Sequence, residues 1–407
     1  MRPSWPPGTK IAVGADWIEY AGALEAIDRR FRSFGYQLAR LPILDYADAF
    51  LRRSGEEIRR RMYIFRDPGA TEICLRPEMT IAACRAFIAE HGGARREQRL
   101  SYIGPVFRYD KPRPGRLREF SQAGVEFFGA ADHAAADAEV LALAVEAIRG
   151  LGITETSILM GDLAVVKEVI GAMPLEPRTC EQITSTVWRR RAVENFLASL
   201  QHAPDAEGPE PTGTREVAFT EASRAITQEL ITRLFPQRIG SRSVEEIADR
   251  ILERLALASA SRVPSELVEL LRRFIGLSGP APSILAVIEL IHKELRLEAA
   301  PALERLRARL DRLEAYNIDP SAITLDMGFR RGIEYYTSFI FEIHSPALGP
   351  VSQIVGGGRY DGSRLFFFVR RGSRRKKQSI NRFSLYIAQA IDHGSHCHRH
   401  TILIKIG

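Results

Sequence analysis

Residues Phe107 to Gly129 read FRYDKPRPGRLREFSQAGVEFFG. Two β-prone runs, 99–109 and 119–129, enclose a charged loop rich in Pro and Gly, the pattern of two antiparallel strands. Arg108 and Arg118 flank that loop and Arg116 lies within it. By composition this is equally a solvated basic hairpin or an anion clamp, since guanidinium forks match phosphate or carboxylate. Beyond the loop, Gln122, Gly124 and Glu126 alternate, so all three point to one sheet face. Two polar groups and a glycine on one face of a central strand make a poor core. They suit the floor of a small polar-ligand pocket, with Glu126 meeting a cation and Gln122 a hydrogen-bonding edge.

Working outward, Leu75 to Thr80 reads LRPEMT. Thr80 can cap a helix running to about His91, and Glu78 can accept from a ligand ammonium. Residues 62–76 form a hairpin around Asp67-Pro68-Gly69. Residues 17–35 form an amphipathic helix with Ala21, Leu24, Ile27, Phe31 and Phe34 at 3–4 spacing, and Gly35 as its stop. The strand-like run after it contains Pro42, which suits a sheet edge or an interface. A further helix runs from about Ala136 to Gly150. Strand patterning returns at 322–328 and 334–344, where Arg331 and Gly332 precede Glu334, Tyr335 and Tyr336. The stretch VGGGRYDG, Val355 to Gly362, allows close backbone approach by a ligand or a neighbouring strand. No P-loop, dinucleotide fingerprint or H-E-x-x-H motif is present.

Composition bounds the class. With 45% hydrophobic and 26% charged residues, the chain reads as an ordinary soluble globular protein. It has no apolar run long enough for a membrane span and no signal-peptide h-region, so a cytoplasmic location is expected. Cys74, Cys84 and Cys180 read as reduced, mostly buried small hydrophobes. The net charge of +7 and pI near 9.3 suggest nucleic acid only at first glance. From Ser363 to Gly407 there are ten Lys and Arg against one acid, Asp392. The rest of the chain is therefore slightly acidic, and charge does not support a general nucleic-acid-binding face. The expected organisation is α+β. Residues 1–160 and 321–362 form the two parts of a core, 161–320 a mostly helical insertion, and 363–407 an atypical basic tail.

Taken together and in this order, these stretches resemble the histidyl-tRNA synthetase superfamily, over roughly residues 8–160 and 320–362. The resemblance implies a class II synthetase-like antiparallel sheet flanked by helices, with a dimer interface near the first helix and Pro42. It also implies site residues. Glu78 and Thr80 would hold a histidine α-amino group. Gln122 and Glu126 would complete the amino-acid pocket, and Tyr335 and Tyr336 would lie beside the imidazole. Arg331 would reach the carboxylate, Arg108 would be the phosphate-binding arginine and Arg116 would lie in the ATP loop. The family signature usually carries Asp where this chain has Glu334.

Two departures shape the functional expectation. Only 45 residues follow Gly362, too few for the anticodon-binding domain of the synthetases. The nearest match to the third class II motif, Arg382 to Gln389, has Ala388 and Gln389 at its acid and arginine positions. A core with the second motif intact and the third altered resembles the regulatory subunits of ATP phosphoribosyltransferase, non-catalytic paralogues acting in histidine biosynthesis. That resemblance implies free L-histidine as ligand, a short-form catalytic subunit as partner, a homodimer within a hetero-oligomer, and no cofactor. The alternative is a truncated or divergent histidine–tRNA ligase, with tRNA as partner, ATP and Mg as cofactors, and Arg108 and Arg331 as catalytic residues. A ligase-like enzyme with another acceptor is a third reading. In the tail, His393, His396, Cys397, His398 and His400 match no structural zinc spacing, so no metal is expected. A basic nucleic-acid arm, a degenerate third motif and a shifted reading frame all remain open there.

Overall fold

The computed structural model describes residues 5–51, 56–91, 96–111, 117–188, 197, 221–234, 244–245, 247–248, 251, 263–297, 299–331, 336–346, 352–361, 382–387 and 404–405. Arg116, Glu334, Tyr335, Ala388, Gln389 and the tail histidines lie outside these residues.

The first helix, α1 (Ala15–Ser33), buries Ala23, Ile27 and Phe31 on one stripe. It leads into β1 (Gln37–Leu38), which pairs in parallel with β5 (Gln98–Phe107) at one edge of the main sheet. Pro42 follows that edge strand, where a missing N–H costs no ladder bond. Next, β2 (Leu44–Tyr46), β3 (Tyr63–Arg66) and β4 (Glu72–Leu75) form a separate three-stranded sheet, with the short helices α2 (Ala47–Leu51) and α3 (Glu56–Arg59) between β2 and β3. The β3–β4 pairing is the hairpin expected around Asp67. Helix α4 (Thr80–His91) then precedes β5 and its antiparallel partner β6 (Glu119–Phe128).

Helix α5 (His133–Arg149) starts on Asp132, whose carboxylate accepts from the Ala135 N–H. Its Ala, Leu and Val side chains are buried on nearly every side, as befits a helix packed between other layers. The chain continues through β7 (Ser157–Asp162), α6 (Leu163–Gly171), α7 (Pro177–Trp188), α8 (Glu221–Leu234), α9 (Ser265–Ile275), β8 (Ser278–Pro280), α10 (Ala281–Glu294), α11 (Pro301–Glu314) and β9 (Ile323–Asp326). It ends with β10 (Phe339–His344), β11 (Gln353–Arg359), β12 (Arg382–Ile387) and β13 (Ile404–Lys405). The main sheet runs β1-β5-β6-β12-β11-β10-β7-β9-β8, with β13 also on β6. It is mostly antiparallel, with parallel pairs at β1–β5, β7–β9 and β13–β6. Strand β12, from the segment matched to the third motif, fills the place between β6 and β11.

The chain divides into two compact units, one comprising 1–172 with 274–407 and the other Met173–Arg273. The second unit contains α7 and α8 and is helical in its described residues. It is narrower than the 161–320 block drawn from helical composition. Residues 157–162, 278–280 and 323–326 are strands of the main sheet, and α11 packs on α5. Helical spacing in α10 and α11 marked their amphipathic faces, but not which layer those faces cover.

Candidate functional site

The β5–β6 register sets the site. Tyr102 stands opposite Gly124, Leu100 opposite Glu126 and Gly104 opposite Gln122. Gln122, Gly124 and Glu126 share a face, as alternation required, and all are buried. The glycine serves a neighbouring side chain: a Cβ at 124 would run into the Tyr102 ring. Lying over that gap, Tyr102 donates its hydroxyl to Glu126 Oε1 at 2.9 Å. Just past the end of β11, the Tyr360 hydroxyl reaches Glu126 Oε2 at 2.6 Å. Thr80 Oγ1 lies 3.2 Å from the Tyr102 oxygen, and Cys84 Sγ lies 3.1 Å from that of Tyr360.

Glu78 occupies the turn into α4. Its carboxylate accepts from the backbone N–H of Thr80 at 2.7 Å and of Ile81 at 3.1 Å. The helix cap is therefore Glu78, not Thr80, whose hydroxyl instead faces Tyr102. A carboxylate at a helix N-terminus satisfies orphan donors and opposes the dipole. Arg108 is buried, with Nε on the Pro77 carbonyl at 2.7 Å, so it braces the turn that carries Glu78.

Electrostatically the site is unusual. Burial pushes the carboxyl of Glu126 well above the ordinary glutamate range. The Tyr360 and Tyr102 hydroxyls pull it down, and the neighbouring charge of Glu78 pushes it up again. Burial likewise raises Glu78, opposed by the Ile81 and Thr80 amides and by Arg108. Gln122 is 1% exposed, and both its amide oxygen and nitrogen lack a hydrogen-bond partner among the described residues. An unpaired buried amide costs on the order of 1–3 kcal/mol per group, so functional sites are where such groups persist.

Further along the same face, Arg331 packs against Gly356, where a Cβ would collide with its guanidinium. Its Nη1 donates to the Phe341 carbonyl at 3.3 Å, and Nε lies 3.6 Å from Glu342 Oε1. Tyr336 is buried with its ring 5.6 Å from the Arg331 guanidinium carbon. The sequence-derived set thus separates into a tight group, Glu78, Thr80 and Glu126, with Gln122 beside it on β6, and a second pair, Arg331 and Tyr336. Arg116 and Tyr335 lie outside the described residues. Sequence reasoning missed Tyr102, Tyr360 and Cys84. Tyr102 was recoverable from the register, since the residue opposite a strand glycine has the room to lie over it. No spacing signal pointed to Cys84. Among the described residues no cluster of three or more His, Cys, Asp or Glu is arranged to hold a metal.

The family model for histidyl-tRNA synthetase matches residues 15–210 and 224–370. The chain is 32% identical over 329 residues to an ATP phosphoribosyltransferase regulatory subunit of Brucella anthropi, covering 80% of this chain and 86% of that one. A regulatory subunit of the same name from Brucella canis is 30% identical with the same coverage. In fold, it is similar to an ATP phosphoribosyltransferase regulatory subunit/histidyl-tRNA synthetase from Bacillus halodurans. The TM-score is 0.64 at 18% identity, over 95% of this chain and 81% of that one. By sequence the chain belongs to the histidyl-tRNA synthetase-like family, among the ATP phosphoribosyltransferase regulatory subunits.

Proposed function

We propose that this chain is a non-catalytic subunit that binds free L-histidine and regulates a short-form catalytic ATP phosphoribosyltransferase chain. One observation carries the ligand assignment: two buried carboxyls, Glu78 and Glu126, are held by hydroxyls and backbone amides, beside the buried Gln122 amide, which has no hydrogen-bond partner among the described residues. Glu78 takes the ligand ammonium, with Thr80 beside it. Glu126 keeps lone-pair capacity beyond its bonds to the Tyr102, Tyr360 and Thr80 hydroxyls and accepts from an imidazole N–H. Such a donor-demanding site rejects apolar isosteres strongly. Gln122 supplies a donor and an acceptor, Arg331 faces the carboxylate, and Tyr336 lines the ring, a role the family resemblance extends to Tyr335. Arg108 and Arg116 would retain phosphate affinity only if ATP still binds. No cofactor is needed for this role.

The exposed apolar side chains Trp17 and Ile18 on α1, Leu44 and Tyr46 on β2, and Ile64 and Phe65 on β3 support a homodimer within the hetero-oligomer. No helix among the described residues is long and apolar enough to cross a membrane, in keeping with action in the cytoplasm.

The test is co-purification with the catalytic chain of the same organism, then an assay with ATP and phosphoribosyl pyrophosphate. Histidine should inhibit the complex, and Glu78→Ala should raise the inhibitory concentration without abolishing assembly, because an effector acts only through differential affinity. Robust histidine-dependent ATP–pyrophosphate exchange by the chain alone would replace this reading with the histidine–tRNA ligase, to which Arg108 and Arg331 would then be catalytic.

A further inference from the structure

Strand β10 reads FIFEIH, and alternation sets Phe339, Phe341 and Ile343 on one face and Ile340, Glu342 and His344 on the other. Two polar side chains thus stand next to each other on the face where Arg331 lies. Across the sheet Glu342 is paired with Gly356 on β11 and Leu159 on β7. Neither carries a charge, and the bare Gly356 backbone gives the Arg331 guanidinium its room.

After the pair Ile343 and Val355 the β10–β11 register slips, so that His344 stands opposite Gln353 instead of Ile354. A bulge of this kind re-aims a side chain. The His344 ring meets both Glu342 and Ser352: Nε2 is 3.2 Å from Glu342 Oε2, and Nδ1 is 3.1 Å from Ser352 Oγ. A carboxylate only accepts, so Nε2 carries the hydrogen, and the Ser352 hydroxyl can serve Nδ1 as donor. The other Glu342 oxygen, Oε1, lies 3.6 Å from Arg331 Nε, an ion pair between a 17% and a 5% exposed side chain. With one oxygen held by His344, Glu342 meets the guanidinium side-on. Pairing at Nε fixes the plane of a rigid fork, and so the direction in which that fork meets a ligand carboxylate.

Resting on the histidine-pocket reading above, we infer that Glu342 is a positioning residue for Arg331, oriented in turn by His344 and Ser352, and that this relay makes the α-carboxylate of the ligand a requirement for tight binding. Long side chains lose rotamer freedom when fixed. An arginine fixed in advance by Glu342 spends less of the ligand's binding energy on that ordering.

The experiment is calorimetry on the full chain with L-histidine and with histamine, which keeps the ammonium and the imidazole but lacks the carboxylate. Wild type should prefer L-histidine. Glu342→Gln keeps the side-chain size and removes its charge. L-histidine should then bind about three- to tenfold more weakly, the worth of one hydrogen bond, while histamine binding stays unchanged. His344→Ala should give a smaller loss of the same selective kind, and His344→Gln, which donates and accepts, should restore it. In the double variant His344→Ala should add nothing once residue 342 is neutral, because it acts through that carboxylate. A packing defect would weaken both ligands alike. Equal losses for the two ligands, unchanged L-histidine affinity in Glu342→Gln, additive effects in the double variant, or wild type that binds the two ligands equally would each overturn the inference. Wild type that binds neither would overturn the pocket reading itself, which is a different result from any of these.

Discussion

The main sheet carries buried carboxyls in two places, and they are held in opposite ways. Around α5 and α11, Asp137 and Asp162 meet guanidinium groups. Arg309 Nη2 is 2.6 Å from Asp137 and Nη1 is 3.0 Å from Asp162, with both partners 1% exposed. Arg359 adds a third contact, 3.0 Å from the other Asp137 oxygen. Burial opposes charge on Arg359, but Asp137 and Asp361 hold it above its ordinary value. Around β6, Glu126 meets the hydroxyls of Tyr102, Tyr360 and Thr80, and Glu78 meets amides and the Thr80 hydroxyl with Arg108 as its charged neighbour. A carboxylate already neutralised by arginine has nothing left to offer a ligand. One held by neutral donors keeps an unmet demand for positive charge, which an ammonium or a polarised imidazole can satisfy. On the proposed reading, the same chemical group is structural in one place and receptive in the other, and the partner decides.

The comparison breaks most visibly at Arg309. Arg309→Met would leave Asp137 and Asp162 buried with their shared cation removed. Unfolding in urea should show a loss of about 3–5 kcal/mol, the usual cost of removing one side of a buried pair. A loss under about 1 kcal/mol would mean the network is not held by its charges.

In the pocket the same kind of change should fall on binding instead. Glu126→Gln keeps the shape and can still bond both tyrosines, so stability should move little. Histidine affinity measured by calorimetry should drop by about 1–3 kcal/mol, because a ligand donor loses its acceptor. A variant that unfolds but binds normally when folded would place Glu126 with Asp137. Gly124→Ala probes the support beneath it: the added methyl meets the Tyr102 ring, and overpacking of this kind costs about 1–3 kcal/mol. Its effect on affinity should follow from displacing the Tyr102 hydroxyl, so Tyr102→Phe in the same background should add little further loss.

Much of the receptive region was legible in the sequence because its signals are local. Alternation put Gln122, Gly124 and Glu126 on one face, and β6 places them so. The turn LRPEMT announced Glu78, although the cap went to the carboxylate instead of the threonine. The structural region was not legible. Asp137, Asp162, Arg309 and Arg359 lie on α5, β7, α11 and β11, as much as 222 residues apart, and nothing in the spacing of one predicts the others. The same holds for Tyr360 and Cys84, 276 residues apart. Long-range pairing depends on sheet order, which strand patterns alone do not supply. The insertion was drawn too wide for a related reason. Amphipathic periodicity identifies a helix with a buried face, and α10 and α11 have one, but it does not say which layer that face covers.

The smallest expected signal sharpens the comparison furthest, because it reports charge state directly. Burial raises Glu126 in the folded protein above its unfolded value. Below the unfolded value of about 4.3 both states hold the proton, and the group's contribution to stability is fully present. As pH rises above that, the unfolded chain ionises first, and stability is lost until pH passes the folded value. Wild type should therefore lose stability relative to Glu126→Gln as pH increases, by at most about 1.4 kcal/mol per pH unit. Paired unfolding curves of the two proteins between pH 5 and 8 measure the slope of that difference. A carboxyl whose folded value lies below its unfolded one gives the reverse, with wild type gaining on the variant as pH rises from the acid side and the difference level thereafter. A falling difference means that the fold does not fully compensate the burial of a charge on Glu126, so that its proton leaves only at a cost the ligand can offset. A level or rising difference would mean that the fold itself holds Glu126 as a carboxylate, and would remove the physical basis for a cationic ligand at β6.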